Sequence, residues 1–252
     1  MARNKFTVDG TTYIDLSTTG IESAADIPAG KIGYLRTGER VTGTGEIGMA
    51  NPLSGKILVA TGDSICYGAS YAGGYAGIIG AENSMTVQNL GENNRCIADF
   101  DNKTGIYASI ADMRSDADYI LLEGGTNDTG DVQLGTITSG YADTLNTSTF
   151  AGAFETMLKN AINKFHGKKI GYIFIPKGNP DFDSRTTGSY YNIAKTACEK
   201  WGVPYCDLNT LVPPIGLIST LSSTYTSDGV HPNEAGYRLF YVPKITAWMK
   251  TL

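Results

Sequence analysis

Hydrophobic and polar residues alternate in short stretches from Met1 to about Leu53, as in Phe6-Thr7-Val8 and Thr12-Tyr13-Ile14, with glycines and turn residues between them. That pattern predicts a small β-rich module over residues 1–53. After Asn51-Pro52 the pattern changes. Compact apolar runs at Ile57 to Thr61, Met85 to Leu90, Tyr119 to Glu123, Ile170 to Ile175 and Pro204 to Asp207 are strand-sized and end in turn or polar residues. Tyr75 to Ala81, Thr149 to Phe165, Ser189 to Trp201 and Pro232 to Met249 have the length and periodicity of helices. Such alternation predicts an α/β domain over residues 54–252: a five-stranded, doubly wound parallel sheet in flavodoxin-like order, sandwiched in three α/β/α layers.

In a sheet of this kind ligands bind beyond the carboxyl ends of the strands, so the loops there are where chemistry is expected. They carry Gly62-Asp63-Ser64, Gly91-Glu92-Asn93-Asn94 and Gly124-Gly125-Thr126-Asn127-Asp128, while Asp228-Gly229-Val230-His231-Pro232 immediately precedes the last predicted helix. Acyl transfer by serine needs a hydroxyl, an imidazole to take its proton, a carboxylate to orient the imidazole and donors for the oxyanion. All four types occur in these loops. Asp228-x-x-His231 places carboxylate and imidazole on one turn, and Pro232 is suited to the first helical position, which would fix His231 at a helix start.

The four blocks Gly62-Asp63-Ser64, Asn89-Leu90-Gly91, Gly125-Thr126-Asn127-Asp128 and Asp228-Gly229-Val230-His231 resemble those of the SGNH (GDSL-type) serine hydrolases, from about Lys56 to Leu252. The resemblance implies Ser64 as nucleophile, His231 as general base and Asp228 as its orienting partner. It further implies an oxyanion hole made by the backbone N–H groups of Ser64 and Gly91 and the side-chain amide of Asn127. Gly91 would let backbone approach the substrate closely, and an Asn amide donates without titrating. The glycine that an α/β-hydrolase nucleophile elbow needs two residues after its serine is missing from Gly62-Asp63-Ser64-Ile65-Cys66.

Composition narrows the alternatives. A net charge of −5, with no dense Lys/Arg cluster, argues against a nucleic-acid partner. No segment approaches the roughly 20 apolar residues of a spanning helix and no signal peptide is evident. The expectation is a soluble protein without a membrane partner, cytoplasmic or associated with a virion or prophage. Neither G-x-G-x-x-G nor Gly-Lys-Ser/Thr occurs, so no cofactor is expected, and two histidines with four scattered cysteines imply no metal site. Asp63 and Asp128 read as turn and network residues. His166, before Gly167, reads as a helix-end residue. Tyr67, Tyr71, Phe100 and Tyr107 are candidate walls for a sugar or acyl pocket.

Asp26-Ile27-Pro28-Ala29-Gly30-Lys31-Ile32-Gly33-Tyr34, with Gly38 to Thr44, resembles a short motif of tail and fibre proteins of phages and prophages of Gram-positive bacteria. It implies a tail or homo-oligomeric assembly. A small β appendage that covers the hydrolase domain is the other reading. The expected function is a serine esterase that removes short acyl groups, O-acetyl above all, from an acylated carbohydrate or small ester. A lipid esterase or thioesterase, or a tail-associated binding protein with a scaffold hydrolase domain, are the alternatives.

Overall fold

The computed structural model describes residues 5–8, 11–15, 27, 31–42, 51–128, 132–141, 144–177 and 188–252. The chain separates into two compact units, Met1–Pro52 and Leu53–Leu252.

The first unit contains two antiparallel hairpins, β1 (Lys5–Val8) with β2 (Thr11–Asp15), and β3 (Ile32–Tyr34) with β4 (Arg40–Thr42). Gly33 in β3 packs so closely on the buried Ile27 side chain that a Cβ there would lie 2.5 Å from its Cδ1. Asp26, Pro28 to Gly30, Gly43 and Thr44 of the tail-like motif lie outside the described residues.

The second unit is built on five parallel strands, β5 (Ile57–Thr61), β6 (Thr86–Asn89), β7 (Tyr119–Glu123), β8 (Lys169–Phe174) and β9 (Tyr205–Asp207). They are hydrogen-bonded in the order β6-β5-β7-β8-β9, the expected flavodoxin-like arrangement. Strand β7 is buried at all five positions, as a strand covered on both faces must be. Its side chains divide between two cores by the two-residue period of a strand. Ile120 and Leu122 pack with Val59 on one face, and Tyr119 and Leu121 with Leu58 and Ala60 on the other.

The first face is covered by α3 (Phe150–Lys164), α4 (Ser189–Trp201) and a 3-10 helix, Ile106–Asp112. The second is covered by α1 (Ser64–Tyr67), α2 (Gly74–Asn83) and the C-terminal helix. Two further short helices, α5 (Leu208–Leu211) and α6 (Ser219–Tyr225), lie in the connections. Leu53 is fully buried in the second core. His166 is exposed just past the end of α3, with Nδ1 3.2 Å from the Asn163 carbonyl.

The C-terminal helix departs from expectation at its start and in its middle. Asn233 is its N-cap, accepting from the Gly236 N–H at 3.0 Å, so Pro232 lies before the helix rather than at its first position. The helix then runs as Glu234–Gly236, a π-helical turn over Tyr237–Tyr241, and Val242–Met249. Pro243 explains the turn. It has no N–H to return to the carbonyl four residues back, and the Val242 N–H instead reaches Tyr237, five residues back.

Candidate active site

The nucleophile loop forms where β5 runs into α1. Asp63 caps that helix, its Oδ1 accepting from the Ile65 N–H at 2.9 Å, while Oδ2 accepts from the Thr126 N–H at 3.3 Å. One buried carboxyl therefore ties the Ser64 turn to the loop that carries Asn127. The C-terminal helix holds α1 from the other side, through the Tyr237 hydroxyl donating to the Ile65 carbonyl at 2.8 Å.

Asp228 and His231 occupy a self-bonded turn. Thr226 Oγ1 accepts from the Gly229 N–H at 2.8 Å, and Asp228 Oδ1 accepts from the N–H groups of Val230 at 3.0 Å and His231 at 2.8 Å. The other carboxylate oxygen, Oδ2, lies 2.6 Å from His231 Nδ1, and His231 Nε2 lies 2.8 Å from Ser64 Oγ. Partial burial pushes the Asp228 carboxyl up, but the hydrogen bonds from the His231 backbone and ring and from Val230 outweigh it and hold the group below the usual carboxylate range. An ionised Asp228 fixes the tautomer: Nδ1 carries the proton and donates to it, so Nε2 accepts from the Ser64 hydroxyl.

The three expected oxyanion donors are less uniform. Ser64 opens α1, where the first N–H groups have no partner within the helix. The Asn127 amide donates to the Arg95 carbonyl at 3.0 Å through Nδ2, which carries a second hydrogen. The Gly91 N–H donates to Asn89 Oδ1 at 2.9 Å, and a Cβ on Gly91 would lie 2.3 Å from the Tyr67 nitrogen. The backbone of α1 alone already demands glycine there.

Sequence reasoning missed two residues that shape the site. Asn89, at the end of β6, bonds the carbonyls of Cys66 at 2.7 Å and Gly73 at 3.1 Å besides holding Gly91. Glu123, at the end of β7, is fully buried behind the nucleophile turn. For Glu123 the available signal was a polar side chain closing an otherwise apolar strand, and for Asn89 its place in the Asn89-Leu90-Gly91 block. Asp128 is also buried, and accepts from Ile97 at 2.9 Å and Ala98 at 3.2 Å; burial pushes its carboxyl up to about 6.

Beside Asn127 lies a recess of about 260 Å³, with Asn94, Asp101, Lys103 and Thr104 among its walls and Phe100 in its lining. Its hairpin is braced by Asp99, which accepts from the Gly105 N–H, the Tyr107 hydroxyl and Thr147 Oγ1. Tyr107 is thereby a brace, and Tyr67 is exposed on α1. A much smaller recess, about 10 Å³, is lined by Ile65, Thr126, Ile175, Ile215 and Val230 among others.

All four cysteines are buried, and none is in a disulfide. Among the described residues no group of three or more His, Cys, Asp or Glu is placed to hold a metal, and no helix is long and apolar enough to cross a membrane.

No curated protein matches the chain in sequence. Among solved structures, a Lactobacillus plantarum protein superposes with a TM-score of 0.66 at 24% identity, over 79% of this chain and 98% of its own. A lipase/acylhydrolase from Enterococcus faecalis gives 0.55 at 18% identity, over 78% and 96%. The M. smegmatis aryl esterase gives 0.56 at 14%, over 78% and 99%. These likenesses show the α/β fold. The model of the GDSL-like lipase/acylhydrolase family matches residues 60–239, more than half of the chain, a span that takes in the Ser64, Asn127 and Asp228-to-His231 loops. The chain therefore belongs to the GDSL-like lipase/acylhydrolase family and is an ester hydrolase.

Proposed function

We propose that this protein is a serine esterase that removes short acyl groups, O-acetyl above all, from a carbohydrate, with Ser64, His231 and Asp228 as its triad. The observation that carries the reading is the hydrogen-bonded chain Asp228 Oδ2 to His231 Nδ1 and His231 Nε2 to Ser64 Oγ, at 2.6 and 2.8 Å.

As Ser64 Oγ attacks the ester carbonyl, its proton passes to His231 Nε2, and Asp228 stabilises the imidazolium so formed. The tetrahedral oxyanion takes hydrogen bonds from the Ser64 N–H and the second Asn127 Nδ2 hydrogen. Gly91 can contribute only as its N–H leaves Asn89. Collapse expels the alcohol, which takes the proton from Nε2, and leaves the acyl group on Ser64. Water then attacks that ester, His231 takes its proton and returns it to Ser64 Oγ, and the carboxylic acid departs.

Two recesses support the substrate class. The 10 Å³ space beside Ile65 and Val230 is about the size of one water molecule and leaves no room for a long acyl chain. The larger recess at Asn127 offers an amide, a carboxylate, an ammonium and a hydroxyl around one aromatic ring, a lining that suits a polyhydroxylated alcohol. A lipid ester is the second reading, favoured by the exposed Leu217 and Ile218 close to Ile215. The tail-like motif supports a further reading of the first unit as an attachment module, with an acylated polymer of a bacterial surface as target.

p-Nitrophenyl esters from acetate to palmitate, assayed with Ser64→Ala in parallel, test the proposal. Serine-dependent turnover confined to the short esters supports it. A preference for long chains favours the lipid reading, and equal turnover by parent and Ser64→Ala removes the triad.

A further inference from the structure

Glu123 and Asp63 meet directly behind the nucleophile. Both are 0% exposed, and the Asp63 N–H donates to Glu123 Oε2 at 3.3 Å. The other oxygen, Oε1, is buried without a hydrogen-bond partner. Neither carboxyl has an ion pair among the described residues. The titratable groups that sense Glu123 are the Cys66 thiol on α1, Tyr75 on α2, Tyr172 on β8, and Tyr237 and Tyr241 on the C-terminal helix, all neutral at pH 7, besides Asp63 itself.

Two buried carboxylates without a cation cannot both be ionised. Asp63 accepts two backbone N–H bonds, from Ile65 and Thr126, which favour its charged form. Glu123 is the poorer anion. Burial first, and then the Asp63 charge, push its carboxyl well above the ordinary range.

We infer that Glu123 carries a proton in the folded enzyme and acts as a neutral positioning residue, accepting the Asp63 N–H behind the carboxyl that joins the Ser64 turn to the Asn127 loop. Space for it is reserved in the sequence: a Cβ on Gly62 would lie 2.3 Å from Glu123 Oε2. Ionising Glu123 would place a second negative charge in a dry site and drive the two carboxyls apart.

The test compares the parent with Glu123→Gln and Glu123→Ala. Glutamine reproduces the protonated glutamic acid, with one acceptor and one donor, and cannot ionise. A carboxyl that the fold keeps protonated contributes stability below its unfolded pKa and loses it as pH rises toward its folded one. Asp128 shifts in the same direction but is common to both proteins, whereas Asp63 is coupled to Glu123 and the difference reads the titration of that pair. The Tm of Glu123→Gln minus that of the parent should therefore grow as the pH rises above the ordinary carboxyl range, about 4.3 for a free Glu, toward the raised folded-state pKa. A pH-independent difference overturns the inference.

The kinetic arm rests on the triad reading, whereas the stability arm does not, so the two fail separately. Glu123→Gln should keep kcat at pH 7 within about threefold of the parent, with its alkaline limb moved to higher pH. Glu123→Ala should lose at least about tenfold in kcat with KM little changed. A Glu123→Gln enzyme that folds but is as impaired as Glu123→Ala would show that the anion, not the neutral acid, is needed.

Discussion

His231 bonds Asp228 through Nδ1 and Ser64 through Nε2, so each substitution along that chain has a distinct signature. Ser64→Ala should reduce hydrolysis to background. Asn127→Ala should leave apparent affinity nearly intact and lower kcat about 10²- to 10³-fold, the loss of one oxyanion donor worth roughly 2.7 to 4 kcal/mol. Steady-state kinetics on p-nitrophenyl acetate separate the two. On the acid side, activity should fall as the imidazole takes a proton and can no longer accept that of Ser64. Asp228 is not the source of that limb, because its hydrogen bonds hold it ionised below the usual carboxylate range. A flat acid profile would count against His231 as the base.

Between elements, the loop after β6 and helix α1 approach closely. Gly91→Ala would set a methyl against the Tyr67 backbone, and should destabilise the enzyme by about 1 to 3 kcal/mol in urea unfolding while displacing the nucleophile helix. The sequence made the strands of the sheet and the helices α2, α3 and α4 legible to within a residue or two, because strands buried on both faces, β7 above all, write compact apolar runs, and α3 and α4 write a 3.6-residue period. It hid α1, α5 and α6, too short for a period to show, and the 3-10 helix Ile106–Asp112. The π turn was hidden too, because the helical pattern from Pro232 to Met249 runs across Pro243, whose missing N–H shows only in the backbone bonds. In the site, Ser64, Asp228 and His231 were visible through loop blocks that resemble those of the SGNH hydrolases, and the structure brings them into one hydrogen-bonded chain. The roles of Asn89 and Glu123 were not, because Glu123 ends an apolar run as an ordinary strand terminus would and Asn89 stands in its block without a role of its own; only the tertiary fold shows what they hold.

Taken whole, the second unit gathers its reactive groups at the carboxyl edge of the sheet, where β5, β6 and β7 end, and leaves stability to the covering helices. On the far side of the α3 and α4 layer, Glu155 is fully buried and bonded by Lys200, Trp201 and Thr138. Lys200→Met should cost about 3 to 5 kcal/mol by stranding that carboxylate, without changing kcat for the protein that remains folded. Chemical denaturation and active-site-normalised kinetics check both halves of that expectation. The central claim is that Ser64, activated by His231, forms the covalent intermediate. Its most direct test is to treat the parent and Ser64→Ala with an organophosphonate that esterifies activated serine hydroxyls, and to locate the adduct by peptide mass spectrometry. A single adduct on the peptide that contains Ser64, absent from Ser64→Ala, is the predicted result; labelling elsewhere, or equal labelling of both proteins, would contradict it.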